Sequence, residues 1–78
     1  MALINRYVRE FAKDIIDQIQ SSKEYADSKI LDDYIDEVNR AVTNTERGLI
    51  TNIDAVGEIL RIYKQYKRAM LNWGVMLL

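Results

Sequence analysis

The sequence predicts an all-α fold: a small three-helix bundle with a long C-terminal helix, completed by oligomerisation. Three observations carry this expectation. Apolar residues recur at helical spacing in three separate tracts. Proline is absent from the 78 residues, so no helix is interrupted by a missing amide hydrogen. The last tract has an apolar arc wider than two short neighbours should cover.

The first helix is predicted over about 3–20. Ile4, Val8, Phe11, Ile15 and Ile19 repeat at intervals of three and four, with Ala12 and Ile16 beside them. On a helical wheel this stripe spans roughly 140°, the width of one buried face. Arg6, Arg9, Lys13, Asp17 and Gln20 lie opposite. The connection from Ser21 to Ala26 breaks the phase. Asp27 or Ser28 then offers a short oxygen-bearing side chain to cap the next helix. Ser21 with Glu24 also has the spacing of a capping box, but the later start is preferred because Tyr25 and Ala26 extend neither stripe.

The second helix is predicted over about 28–47. Leu31, Ile35, Val38 and Val42 form its centre, with Ile30, Tyr34 and Ala41 at the sides. Gly48 follows, where glycine can take the left-handed conformation that ends a helix, and Leu49 stands where an apolar contact usually accompanies that ending. The four-residue turn Gly48–Thr51 makes the second and third helices antiparallel neighbours.

The third helix is predicted over about 52–74, with Thr51 and Asp54 as a box-like start. Its apolar residues include Ile53, Val56, Ile59, Leu60, Ile62, Tyr63, Tyr66, Met70, Leu71 and Trp73. They fill about 200° of the wheel, interrupted by Lys67. Either the helix lies centrally between the other two, or part of the arc is left for a second chain. The two arrangements are compatible. The chain is predicted to be a single helical domain, residues 1–78, without internal repeats. In chains this short, burial and chain ordering nearly cancel, and a shared interface tilts the balance.

Composition narrows the function. Apolar residues make up 49% and charged residues 29%, which fits a folded domain. No apolar run approaches the ~18–20 residues that span a bilayer, and no signal-peptide pattern opens the sequence. With cysteine absent as well, a cytoplasmic location is expected. Cysteine and histidine are both missing, which removes the thiol nucleophile, the usual general base and the commonest zinc ligands. The three glycines stand apart, so no phosphate loop is present. The carboxylates Asp32, Asp33, Asp36 and Glu37, and the row Glu10, Asp14 and Asp17, read as solvated faces and not as metal ligands. Neither an enzyme nor a cofactor site is expected.

The expected role is a non-catalytic protein–protein interaction module, such as an adaptor, a chaperone-like partner or an inhibitor. Its partner is a second copy (a homodimer) or another protein. The apolar face of the last helix supplies the contact, through Ile62, Tyr66, Ala69, Met70, Trp73 and Leu77. Trp73 would anchor it and the methionines would adapt. The segment from Ala69 to Leu78 carries no charge, and it either docks or packs back over the first two helices. The alternative is a small nucleic-acid-binding regulator using Arg61, Lys64 and Arg68, which cluster on the polar strip between Tyr63 and Tyr66. Residues 24–46 carry an excess of acid while the tail from residue 59 carries only cations, so the second helix is also expected to lie near the third. The overall pI of about 5.3 weighs against a dedicated nucleic-acid binder.

Overall fold

Serine side chains end the first helix, and a short oxygen at the next one starts the second. The computed structural model describes residues 2–72, with side chains from residue 6 onward. It is all-α: α1 (Ala2–Ser21), a single 3-10 turn (Ser22–Glu24), α2 (Ser28–Glu46) and α3 (Asn52–Asn72). At the end of α1 the Ser21 hydroxyl donates to the Gln18 carbonyl at 2.8 Å, and the Ser22 hydroxyl lies 3.3 Å from the same oxygen. Such side-chain bonds compete with continued helix, and here the chain tightens into the 3-10 turn, closed by the Tyr25 amide donating to the Ser22 carbonyl. Ser21 and Glu24 do not open α2. Asp27 does: its backbone is extended and its carboxylate accepts the Lys29 amide at 2.9 Å.

The end of α2 is a Schellman motif. Gly48 stands at φ +77°, the Leu49 amide donates to the Asn44 carbonyl at 2.9 Å, and the Gly48 amide donates to Thr45 at 3.1 Å. The apolar contact differs from the expected one. Leu49 is exposed, and Ile50 turns inward against the core. Thr45 explains the turn's fixed direction. Its buried hydroxyl lies 3.2 Å from the Ile50 carbonyl oxygen and 2.9 Å from Asn52 Oδ1. The α3 start is the reciprocal box: the Asp54 amide donates to the Thr51 hydroxyl at 3.1 Å, and the Thr51 amide to the Asp54 carboxylate at 3.4 Å.

Side-chain pairs give the relative directions. Arg9 pairs with Glu46, and Lys23 with Asp32, so α1 and α2 run antiparallel. Gln18 meets Tyr63, and Ser22 meets Tyr66, so α1 and α3 run parallel. Each helix touches both others. The core lies between them, with Val8, Ala12, Ile15 and Ile19 from α1, Leu31, Ile35, Val38 and Ala41 from α2, and Ala55, Ile59, Ile62, Tyr66 and Met70 from α3. The particle measures 40 × 21 × 17 Å. Among the described residues, no helix is long and apolar enough to cross a membrane.

Candidate partner-binding surface

Helix α3 is wedged between α1 and α2, and this decides which part of its apolar arc remains outside. Ile62, Tyr66 and Met70, expected to face a partner, are buried inside the single chain. Ala69 is half-buried at the edge of the same core. Trp73 and Leu77 lie outside the described residues. The reason for the difference is geometric. The arc's centre meets both neighbouring helices at once, so its middle is covered first and its margin is left over.

Tyr66 illustrates why the centre is closed. Only 2% of it is exposed, and burying a phenol without a partner for its hydroxyl is costly. Here the partners come from the end of α1. The Ser22 hydroxyl lies 2.5 Å from the Tyr66 oxygen, and the Tyr66 hydroxyl donates to the Gln18 carbonyl at 3.2 Å. Tyr34 meets the ring edge-on at 6.5 Å between centroids, and Tyr63 stacks on it at 5.9 Å. Both geometries suit the aromatic quadrupole. Tyr63 in turn donates to Gln18 Oε1 at 2.8 Å, and the Lys67 ammonium sits 5.3 Å from its ring centre.

The uncovered margin of α3 holds Ile53, Leu60 and Leu71, all exposed, with Val56 and Tyr63 half-buried beside them. These five lie within about 80° of the helix circumference. Ile53 is 84% exposed and Leu60 43%. The margin is the one that borders α1, since Tyr63 bonds Gln18 there. The offset of 45 residues in that bond sets Phe11 level with Val56, and Tyr7 level with the first turn of α3. Tyr7 is 79% exposed and Phe11 is half-buried. The two parallel helices therefore present one apolar face, running from Tyr7 and Ile53 through Phe11 and Val56 to Leu60 and Tyr63. Sequence reasoning placed Ile53 and Leu60 in the arc but did not single them out. Their wheel position, at the end of the arc away from α2, becomes informative only once α1 is known to run parallel to α3.

The basic strip lies further round α3. Arg61 faces the cleft between α2 and α3 and is held by Glu58 at 2.9 Å. That hydrogen bond, the charge of Glu58 and the charge of Glu37 across the cleft raise the Arg61 pKa above its ordinary value. The acidic α2 thus lies beside the basic α3 at this point. Lys64 and Arg68 are exposed, and among the described residues neither forms a salt bridge. Asp32, Asp33 and Asp36 are exposed on α2, with Asp32 paired to Lys23. Among the described residues no three acidic side chains converge as metal ligands would.

No family model matches this chain, and neither a curated protein nor a solved structure resembles it significantly.

Proposed function

We propose that this chain is a non-catalytic protein–protein interaction module, a three-helix bundle of the adaptor, chaperone-like or inhibitor kind. Its docking surface is the α1/α3 face and not the core residues of α3. The observation that carries the reading is the exposure of Ile53 and Leu60 in line with Tyr7, on a chain that buries Ile59, Ile62, Tyr66 and Met70 of the same α3 arc. Fully burying a side chain of this size contributes about 1.5–3 kcal/mol, so covering this face is a substantial driving force for a chain of 78 residues.

The test compares the full chain with an Ile53→Asp/Leu60→Asp variant, both immobilised and exposed to the same extract. Both positions are solvent-facing, so the variant should keep its helical circular dichroism. Proteins retained by the first and lost from the second support the reading. Identical captured sets from two folded proteins that are both monomeric would refute it.

One observation favours a second reading, nucleic-acid binding. Lys64 and Arg68 are exposed on one strip of α3, available to phosphate. Arg61 is already engaged by Glu58, which weakens the trio. Retardation of a nucleic acid that falls steeply with added salt and disappears in Lys64→Ala/Arg68→Ala would support it. No retardation at low salt would exclude it.

A further inference from the structure

The apolar α1/α3 face is bordered by opposite charges. On the α1 side, Glu10, Asp14 and Asp17 follow Tyr7 and Phe11 round the helix, all exposed. On the α3 side, Lys64 and Arg68 follow Leu60, also exposed. Glu10 is held by Arg6 on its own helix at 3.0 Å, while among the described residues Asp14 and Asp17 form no salt bridge. The face thus reads acid, apolar, base across its width, with Lys67 inside the apolar arc, its ammonium seated over the Tyr63 ring.

From this pattern we propose that a second copy of this chain covers the face, as a two-fold dimer whose axis runs parallel to the helices. The proposal rests on the docking role given to this face above. A pairing of identical faces has its two-fold axis in the plane of contact. An axis lying across the helices would set α1 on α1 and α3 on α3, acid against acid and base against base. An axis lying along the helices sets α1 of one copy over α3 of the other. Each acidic margin then meets the partner's basic margin, and the contact is made twice.

The heights agree at Asp17 and Lys64, while Arg68 stands six residues, about 9 Å, beyond the level of Asp17. The Gln18–Tyr63 bond sets Asp17 level with Ile62. Lys64 is two residues further along, about 3 Å at the helical rise. Rotation about an axis along the helices leaves height unchanged, so Lys64 of one copy stands within reach of Asp17 of the other. Between the charged margins, Tyr7, Phe11, Ile53 and Leu60 of the two copies meet in one layer. The long face of a 40 × 21 × 17 Å particle has room for the roughly 800 Å² per partner that a specific interface buries. Margins of this kind set orientation and partner choice, while the apolar centre supplies the attraction.

The experiment uses sedimentation equilibrium of the full chain over a dilution series, with two charge-reversed variants. One carries Lys64→Glu and Arg68→Glu, the other Asp14→Lys and Asp17→Lys. The substituted positions are exposed, so folding is checked simply by circular dichroism. The unaltered chain should be dimeric at micromolar concentration. Each variant alone should dimerise at least roughly tenfold more weakly, because like charges then face each other. Mixed in equal amounts, the two variants should dimerise with each other, because reversal on one copy restores attraction to the opposite reversal on the other. A monomeric unaltered chain overturns the proposal, and so does a dimer that both reversals leave unchanged or that mixing fails to restore. A monomer that still loses protein partners through Ile53→Asp/Leu60→Asp removes the second copy but keeps the docking role. A monomer without such partners removes both.

Discussion

Replacing Tyr66 by phenylalanine separates a core tyrosine from one that serves a partner. The substitution removes one oxygen and leaves the ring, so the contacts with Tyr34 and Tyr63 persist. The lost oxygen bonds Ser22 at 2.5 Å and Gln18 at 3.2 Å. A net protein hydrogen bond contributes about 0.5–1.5 kcal/mol. Ser22 keeps an outlet, since its hydroxyl also lies 3.3 Å from the Gln18 carbonyl, so no buried donor is orphaned. Two such bonds sum to about 1–3 kcal/mol, and the Ser22 bond to Gln18 returns part of it, so the expected destabilisation is about 1–2 kcal/mol without a full desolvation penalty. For a domain of this length that lowers Tm by about 5–15 °C. Ser22→Ala should cost less, because Tyr66 retains the Gln18 carbonyl. The double variant should cost less than the two singles added, since both remove the same bond. Thermal unfolding followed by circular dichroism at two protein concentrations measures all three. An unchanged Tm for Tyr66→Phe, or fully additive single effects, would refute the account of a closed tyrosine network.

Ile62→Ala should cost about 2–5 kcal/mol in a denaturant titration, because the side chain is buried between α2 and α3. If it instead left stability intact and affected only association, the core placement would be wrong. Gly48 and Gly57 should respond oppositely to alanine. Gly57 lies in α3 with nothing within 4 Å of an added Cβ, so Gly57→Ala should stabilise by about 0.5–1 kcal/mol. Gly48 has equal space but φ of +77°, so Gly48→Ala should destabilise by about 1 kcal/mol, and equal effects of one sign would contradict this. Asp27→Ala should cost about 1 kcal/mol by freeing the Lys29 amide, measured against Asp33→Ala on the same helix as a control with no capping bond.

Much of this architecture was legible because each helix writes its buried side at a fixed period. Val8, Ala12, Ile15 and Ile19 state the inward side of α1, and Leu31, Ile35 and Val38 state that of α2. The boundaries were legible where chemistry marks them: Asp27 at one cap, Gly48 at another, Thr51 with Asp54 at the third. The candidate surface was not. Periodicity gives the angular position of a residue on its own helix, but not which neighbour fills that angle. For α3, whose apolar arc covers more than half the wheel, the choice between centre and margin depends on where α1 lies. Tyr66 was misplaced for a related reason. Its place in the wide arc suggested an interface, and the serine that satisfies its phenol is 44 residues away, where no local pattern points to it. Leu49 failed differently. Its place in the turn was read correctly, but Thr45 holds the Ile50 carbonyl and so turns Ile50 inward instead.

The Schellman turn and the tyrosine network also differ in how much chain each must close. Thr45 and Asn52 are seven residues apart, whereas Ser22 and Tyr66 are separated by 44. Ring closure over the longer span costs on the order of 1.5 kcal/mol more. The α2–α3 hairpin, like the α1–α2 hairpin that Lys23 and Asp32 close over nine residues, therefore forms ahead of the α1–α3 contact. Substitutions in the hairpin turn should slow folding, while Tyr66→Phe should chiefly speed unfolding.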